Sequence, residues 1–321
     1  MTGIGTWGGL AQAGIATFLG APVLQSVEEN ELRTRNIKAA VFGIPFDGGT
    51  LGRSGSSYGP RAIRDISCNY GHYHRDYDVN YFKKLNLHDC GDSFIAVGDV
   101  KATIENGASV ASEILKAGAI PVILGGEHTV TAAGTMGIDK ALKGKYGFIS
   151  FDTHLDCAPD IDGNKWQHGS HVARTLEFKA FAGENMVLMG MRGTVNARAS
   201  YRFAEENGIT VFTMRQIFDI GLKSVVDQAF DIVTRGTDGF YLSIDMDALE
   251  ASQTPGTDNP TPFGPTTREM ITTVLPKFGL SNKLRGLDVN EITPVYDPSG
   301  ITATTAVAFI TELLAAQATL V

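Results

Sequence analysis

The segment Phe148-Ile149-Ser150-Phe151-Asp152-Thr153-His154-Leu155-Asp156 joins an apolar run to three side chains that can bind a metal. The apolar half has the composition of a buried β-strand, and the polar side chains follow at every second position. In an extended chain, residues i, i+2 and i+4 point to one face. We therefore expect Asp152, His154 and Asp156 to share one side at the C-terminal end of a strand.

Two further apolar runs end in the same kinds of side chain. The run Phe240–Ile244 is followed by Asp245 and Asp247, and the run Pro121–Leu124 is followed, after two glycines, by His128. A lone Asp-x-Asp pair is typical of a turn or a helix cap. Three such clusters after similar runs instead indicate one shared site.

The charges around these runs favour bound metal. No Lys or Arg occurs between Lys145 and Lys165, or between Arg235 and Arg268. Carboxylates at the ends of buried strands repel one another and are costly to bury alone. A basic residue from a distant segment is one solution. Two divalent ions that share carboxylate and imidazole ligands are the simpler one.

Apolar runs alternate with helical periodicities along most of the chain. The candidate strands are 39–44, 120–124, 146–151, 186–191, 210–212, 240–244 and 284–289. The candidate helices are 60–67, 100–117, 129–142, 197–207, 222–235, 267–278 and 303–318. This alternation predicts an α/β fold with a mostly parallel sheet covered on both faces. Ligands of such a sheet bind beyond the carboxyl ends of the strands, where all three clusters fall.

Length and composition predict one large domain. The chain has 321 residues, 43% of them hydrophobic, and contains no repeat, low-complexity tract or linker. Residues 1–36 have little regular pattern and are predicted to form an N-terminal arm ahead of a single domain over 37–321. We expect the apolar segment Ala13–Leu19 to pack on a neighbouring subunit or on the domain's own surface.

Charge and cysteine content limit the class of protein. The formal net charge of −8 argues against a nucleic-acid-binding surface. Three cysteines without a pattern favour a reducing compartment over a disulfide framework. We find no secretory signal and no membrane-spanning segment. The expectation is a cytoplasmic protein without nucleic-acid or membrane partners.

Three polar features outside the clusters each allow two interpretations. The glycine-rich segment Gly48–Gly55 matches neither the dinucleotide nor the Walker fingerprint, and is a functional loop or a turn. His168 follows Asp156 after a short loop, and it either shuttles protons or is a solvated surface histidine. Glu291, just after the last candidate strand, receives a cationic substrate or caps the next element.

Four ordered motifs resemble those of the ureohydrolases, the arginase and agmatinase family. They are Gly125-Gly126-Glu127-His128, Asp152-Thr153-His154-Leu155-Asp156, Ser243-Ile244-Asp245-Met246-Asp247 and Asp288-Val289-Asn290-Glu291. The segments Gly14–Phe18, Gly43–Asp47 and Gly59–Arg64 are similar to the agmatinase branch. The resemblance runs from about residue 13 to the C-terminus and implies a three-layer α/β/α, arginase-like fold.

The resemblance also implies a pair of divalent ions that hydrolyses a guanidino group to urea and an amine. The implied ligands of one ion are His128, Asp152, Asp156 and Asp245, and those of the other are Asp152, His154, Asp245 and Asp247. The implied nucleophile is a hydroxide that bridges the two metals. This oxygen-rich donor set favours Mn²⁺, with Ni²⁺ as the runner-up.

Three residues receive catalytic roles by resemblance. Asp156 would pass a proton to the departing amine, and His168 would relay protons to solvent. Glu291 would hold the guanidinium through paired charge-assisted hydrogen bonds. Members of the family usually assemble as trimers or hexamers, so we expect a homo-oligomer that binds a small guanidino substrate.

The sequence departs from the family where the tail of the substrate would be read. Thr153 replaces the usual alanine, and Ala248–Ala251 stands where an Asp-Pro pair is usual. Asp258–Gly264 replaces a small, glycine-rich continuation. The loop Cys157–Gln167 lies where tails are read. The candidate substrate-binding residues are Asp160, Asn164, Trp166 and Glu291.

The identity of the substrate stays open. The acidic loop favours a cationic tail, such as the amine of agmatine. Bulky Trp166 and Phe263 would instead close the pocket around guanidine or a short alkylguanidine. A guanidino acid such as guanidinobutyrate requires a basic residue, for which Arg53, Lys165 and Arg192 are candidates.

Three other reactions or roles are alternatives. A formimino hydrolase that releases formamide would share the metal motifs. Phosphoester cleavage at a two-metal site is disfavoured, because no basic cluster lies beside the motifs. A non-catalytic subunit would be expected to lack ligands, whereas all six candidates are present.

Overall fold

The fold is built around one large parallel β-sheet. The structure is a computed structural model that describes residues 15–321. The strands are β1 Ala39–Gly43, β2 Tyr73–His74, β3 Val79–Asn80, β4 His88–Asp92, β5 Ile120–Leu124, β6 Tyr146–Phe151, β7 Phe181–Met191, β8 Thr210–Thr213, β9 Gly239–Asp245 and β10 Leu284–Asn290. Eight of them form the sheet in the order β4-β1-β5-β10-β9-β6-β7-β8, with every pair parallel. The remaining two, β2 and β3, form an antiparallel hairpin.

Helices follow most of the strands. They are α1 Glu29–Thr34, α2 Gly59–Ser67, α3 Tyr81–Leu85, α4 Val100–Lys116, α5 Thr131–Ala141, α6 His171–Leu176, α7 Arg198–Glu206, α8 Met214–Ile220, α9 Leu222–Thr234, α10 Thr267–Glu269, α11 Leu275–Gly279 and α12 Ile301–Ala318. A π-helical turn over Met270–Val274 joins α10 to α11.

The two faces of the sheet belong to different parts of the core. In β1, Ala39 and Val41 pack in a cluster with side chains of α2, α9, α11 and α12, whereas Ala40 and Phe42 pack with side chains of α4 and α5. A strand that is covered on both faces must be apolar at every position, and β1 is buried throughout. The predicted three-layer α/β/α architecture is confirmed.

The register of the central strands positions the polar clusters. Phe151 at the end of β6 pairs with Ile244 of β9, so that Asp152 and Asp245 leave the sheet side by side. Asn290 at the end of β10 pairs with Asp245, and β5 lies on the other side of β10. Parallel strands in this register bring segments more than a hundred residues apart to one edge.

The strand predictions missed β4 and the β2–β3 hairpin. The sequence of β4, His-Asp-Cys-Gly-Asp, is polar because this strand lies at the edge of the sheet and has one strand neighbour. Edge strands do not require the continuous apolar run that marks a central strand. The hairpin strands are two residues each, too short for a periodic signal.

The predicted N-terminal arm falls partly outside the described residues, because the description starts at Ile15. Phe18 and Leu19 are fully buried in the domain's own core. Their N–H groups donate to Asp89 and Ser67, respectively. The division of the chain at residue 36 stays a prediction.

The terminal helix α12 is long and apolar enough to cross a membrane, with a mean hydropathy of 1.4. No membrane-spanning segment was expected from the sequence. In the structure 83% of α12 is buried inside the domain, where it packs against α2, α3 and α11. Its apolar composition is accounted for by this burial.

A buried ion cluster ties α2 to the edge strand β4. The Arg64 guanidinium donates to both carboxylate oxygens of Asp89, at 2.8 and 3.0 Å, and to Asp92 at 2.6 Å. The Arg64 side chain is 8% exposed and Asp89 is 1% exposed. Removing one member of a buried pair leaves its partner's charge uncompensated, which is more costly than the pair itself.

We predict that Arg64→Leu lowers the free energy of unfolding by about 3–5 kcal/mol, because Asp89 loses its cation. Arg61→Leu on the same helix is the matched control: its side chain is 76% exposed, and we expect a change within about 0.5 kcal/mol. Urea denaturation followed by circular dichroism measures both. A loss below about 1 kcal/mol for Arg64→Leu would contradict this role.

Candidate metal centre and active site

Six candidate ligands converge at the carboxyl ends of three strands. Asp152, His154 and Asp156 follow β6, Asp245 and Asp247 end or follow β9, and His128 begins a short helix after β5. The predicted extended spacing after β6 holds only in part, because Asp156 has a φ of +42° and turns the chain. The structure nevertheless brings all six side chains together.

Their donor atoms form two overlapping clusters. His128 Nδ1 lies 3.0 Å from an oxygen of Asp152 and 3.0 Å from one of Asp245. It also lies 3.4 Å from Asp156. His154 Nδ1 lies 3.1 Å from Asp247 and 3.4 Å from the other oxygen of Asp152. Asp152 therefore presents one oxygen to each cluster.

The donor set fits divalent cations. His128 Nδ1, Asp152 Oδ2 and Asp247 Oδ2 are buried without a hydrogen-bond partner. Within residues 15–321, neither Lys nor Arg forms an ion pair with any of the six side chains. Burial and the charge of Asp247 raise the pKa of Asp245 well above its usual value. Two metal ions would neutralise these carboxylates and occupy the unpartnered atoms.

Residues behind the clusters fix both imidazoles. His128 Nε2 donates to Ser243 Oγ at 2.9 Å, and Ser243 donates to Asp288 at 2.7 Å. His154 Nε2 lies 2.8 Å from the side-chain amide of Asn259. The amide nitrogen Nδ2 of Asn259 is the atom that faces Nε2, so the amide donates to the ring, and His154 Nδ1 faces Asp152 and Asp247. In both rings Nδ1 is the nitrogen that faces the carboxylates.

Two glycines make room for this arrangement. A Cβ atom on Gly125 would collide with the Asn290 side chain, and one on Gly126 would collide with the backbone carbonyl of Phe46. The close approach lets the backbone of Gly126 accept the N–H of Glu291 at 2.8 Å. The paired glycines before His128 therefore allow the end of β10 and the chain after β1 to pack against the chain after β5.

Glu291 lies beside the clusters with one oxygen unpartnered. Its Oε1 accepts the backbone N–H of His128 at 2.8 Å, whereas its Oε2 is buried without a partner. Its φ of +61° is unusual for a residue other than glycine, which indicates a position held by its surroundings. Burial, followed by the charge of Asp258, raises the pKa of Glu291 to about 8.

His168 links Glu291 to a loop at the mouth of the site. His168 Nε2 accepts the backbone N–H of Leu51 at 3.2 Å, so that the neutral ring carries its proton on Nδ1. Nδ1 lies 3.5 Å from Glu291. Burial lowers the pKa of His168, but the hydrogen bond and charge of Glu291 raise it to about 9. The ring can therefore hold a proton that faces the cavity.

A cavity of about 450 Å³ connects the clusters with the surface. It is lined by Leu51–Arg53, His154, Asp156, His168, Val195, Asp245, Asp247, Asp258, Asn259 and Glu291. Asp258 was noted in the sequence only as a departure from the family. Its buried carboxylate lies 3.7 Å from His168 Nδ1.

Three predicted substrate-binding residues remain, all within the described residues 15–321, and only Asp160 among them lines a cavity at the site. Asp160 lines a neighbouring cavity of about 410 Å³ that shares Leu51, His154 and Asp156 with the first. Neither Asn164 nor Trp166 lines either cavity in the described part of the chain. The Asn164 side chain accepts the N–H of Trp166, whose ring packs on a core cluster.

The structure also shows where the bulky and the basic candidates for substrate binding lie. Phe263 is 49% exposed and lies near Phe218, outside both cavities. Arg192 is buried and donates to six backbone carbonyls, so it holds loops together and is not available to a substrate. Arg53 lines the first cavity, and Lys165 lines neither.

Comparison with known proteins agrees with this geometry. Residues 37–316 match the family model described as the Arginase family. The chain is a member of the arginase family. Proteins of this family use a binuclear centre of divalent metal, and the two His/Asp clusters of this member are able to bind such ions.

Individual relatives cover almost the whole chain. Proclavaminate amidinohydrolase of Streptomyces clavuligerus is 30% identical over 302 residues, 94% of this chain and 93% of the relative. Its solved structure matches with a TM-score of 0.86 over 96% of this chain and 99% of that one. An agmatinase of Enterobacter sp. (strain 638) is 33% identical over 87% of each chain. The formimidoylglutamase structure from Bacillus subtilis, 23% identical with a TM-score of 0.85 over 95% of this chain and 92% of that one, shares the fold.

We predict that the protein purified in the presence of Mn²⁺ retains about two ions per chain, and that Asp152→Ala loses both, because Asp152 contributes to both clusters. Removing a repelling carboxylate should leave the fold intact. Elemental analysis after gel filtration measures the ratio of metal to protein. Asp258→Asn is the control: it removes a buried charge outside the clusters and should retain both ions. Two ions bound to Asp152→Ala would contradict the assignment.

Proposed function

We propose that the protein is an amidinohydrolase that cleaves a guanidino group to urea and an amine, with an agmatine-like cationic substrate favoured. The observation that carries this proposal is the position of Glu291. Its carboxylate is buried beside the two clusters, held by a backbone N–H on one oxygen and unpartnered on the other. A buried carboxylate of this kind requires a cationic hydrogen-bond donor.

A guanidinium group matches this carboxylate in shape and charge. Its planar nitrogens present parallel N–H donors that bind a carboxylate in a paired geometry. Because Glu291 is fixed by His128 and Gly126, its orientation is set before the substrate arrives. The carbon atom of a guanidinium on Glu291 would face the clusters.

The six clustered side chains would hold the metal pair. When bound, such ions supply a water molecule of lowered pKa as the nucleophile. Asp156 lies at the cavity wall, where its carboxylate can take up a proton and give it to the departing amine. His168 carries its Nδ1 proton toward the same cavity and can exchange it with solvent.

The charges that line the cavities support a cationic tail. Asp258, Glu291 and Asp160 line the two connected cavities. Trp166 and Phe263 lie outside both, so they do not support closure around a very small substrate. Relatives at 33% and 30% identity are an agmatinase and a proclavaminate amidinohydrolase, whose names both point to amidino chemistry.

Two alternatives are retained on specific observations. Arg53 lines the cavity with Nε and Nη2 bound to backbone carbonyls, and its remaining nitrogen, Nη1, supports a guanidino acid such as guanidinobutyrate. The common fold with formimidoylglutamase supports a formimino substrate. The non-catalytic alternative has no such support, because all six ligands are assembled. The homo-oligomeric assembly as trimer or hexamer and the cytoplasmic location stay predictions.

We predict that the protein loaded with Mn²⁺ or Ni²⁺ releases urea from a panel of guanidino compounds, with agmatine the most active. The panel contains agmatine, guanidinobutyrate, methylguanidine, guanidine and formiminoglutamate, and both urea and formamide are measured. Inert agmatine together with turnover of another guanidino compound would replace the favoured substrate. Formamide without urea would replace the reaction.

We predict that Glu291→Gln lowers kcat/KM for the best guanidino substrate by about a hundredfold, because a paired charge-assisted hydrogen bond is lost. The glutamine retains an oxygen that can accept the His128 N–H. Metal content is measured in parallel and should equal that of the wild type. A loss below about threefold would show that Glu291 does not bind the guanidinium.

A further inference from the structure

Asp258 is a buried carboxylate that faces the cavity without a partner of its own. Its side chain is 5% exposed, and its nearest donor, His168 Nδ1, is 3.7 Å away. That distance is too long for a hydrogen bond. In the described part of the chain, the carboxylate accepts no hydrogen bond, although such a group is costly to bury unpaired.

The backbone around Asp258 is held in place from two sides. Arg53 donates to the carbonyl oxygens of Thr257 and Asp258, at 2.7 and 2.9 Å, while its guanidinium lies 4.1 Å from the centre of the Tyr296 ring. On the other side, Asn259 contacts His154 Nε2. The Asp258 carboxylate is therefore presented to the cavity by a fixed segment.

Asp258 and Glu291 flank a single nitrogen atom. His168 Nδ1 lies 3.5 Å from Glu291 Oε1 and 3.7 Å from Asp258 Oδ2. Two oxygens that accept hydrogen bonds from one guanidinium nitrogen are about 5 Å apart, a separation that this arrangement allows. Two carboxylates that face the same nitrogen repel each other, so a cation that binds both is favoured.

We propose that Glu291 and Asp258 bind two edges of the same guanidinium, and that Asp258 thereby selects guanidino over formimino substrates. This inference rests on the proposed function, because it assumes that Glu291 receives the guanidinium. A guanidinium with one substituent has two edges that carry paired N–H donors. A formimino cation has two nitrogens and therefore one such edge. Its terminal NH2 group presents a single N–H to Asp258, where a guanidinium presents a pair.

The alternative that Asp258 binds the tail of the substrate does not fit its position. In extended agmatine the ammonium nitrogen lies about 7 Å from the guanidinium carbon. Asp258 instead lies beside the same imidazole nitrogen as Glu291, at the guanidinium end. The adjoining cavity, lined by Asp160, leaves room for a tail.

The test measures dissociation constants of two small cations by isothermal titration calorimetry with Mn²⁺-loaded protein. Methylguanidinium carries three nitrogens and no charged tail, and formamidinium carries two nitrogens. We expect Asp258→Asn to weaken methylguanidinium about ten- to a hundredfold and formamidinium by a clearly smaller factor, because methylguanidinium loses a paired contact and formamidinium a single hydrogen bond. Asp162→Asn is the matched control. Asp162 is exposed and outside both cavities, its φ of +52° is tolerated by asparagine, and neither affinity should change.

Equal weakening of both cations by Asp258→Asn, or no weakening of methylguanidinium, would overturn the inference. Weaker binding of agmatine with unchanged methylguanidinium would also overturn it, by assigning Asp258 to the tail. Failure of the proposed function is distinguishable, since it requires that Glu291→Gln leave both cations unaffected or that the wild type bind neither. Metal content is measured for every variant.

Discussion

The structure depends on the burial of four carboxylates and two imidazoles at one edge of the sheet, without a Lys or Arg paired to them. Such a group of acids is unfavourable unless cations enter it. The buried guanidinium of Arg192 donates to backbone carbonyls, including those of Asp247 and Leu249, and, among the residues that the structure describes, forms no ion pair with these carboxylates. The fold thereby fixes the loops of the site and leaves the carboxylates free for metal.

The same constraint explains the local backbone. Asp156 and Glu291 both have positive φ, and both direct a carboxylate into the cavity. A chain that continued as a regular strand would place these carboxylates elsewhere. Thr153, where the family usually has alanine, donates its N–H to the Asp247 carboxylate and its hydroxyl to the Asp247 carbonyl. The segments after β6 and β9 are thus bound to each other.

The fold and the ligand clusters were predictable because both have local signatures. Buried parallel strands require unbroken apolar runs, and polar side chains directly after such runs fall at the carboxyl edge by topology alone. The parts of the site that local patterns do not predict depend on long-range packing. Arg53, about two hundred positions earlier, binds the segment that carries Asp258 and Asn259. Trp166 was expected at the substrate, but its N–H binds the Asn164 side chain and its ring packs against a core cluster. No local sequence pattern predicts this orientation.

Anomalous diffraction from crystals grown with Mn²⁺ tests the central claim, that these donors hold a pair of divalent cations, most directly. The account predicts two anomalous peaks, one among His128, Asp152 and Asp245 and one among Asp152, His154 and Asp247. A site with no peak, or with a lysine or arginine side chain between the carboxylates, would contradict it.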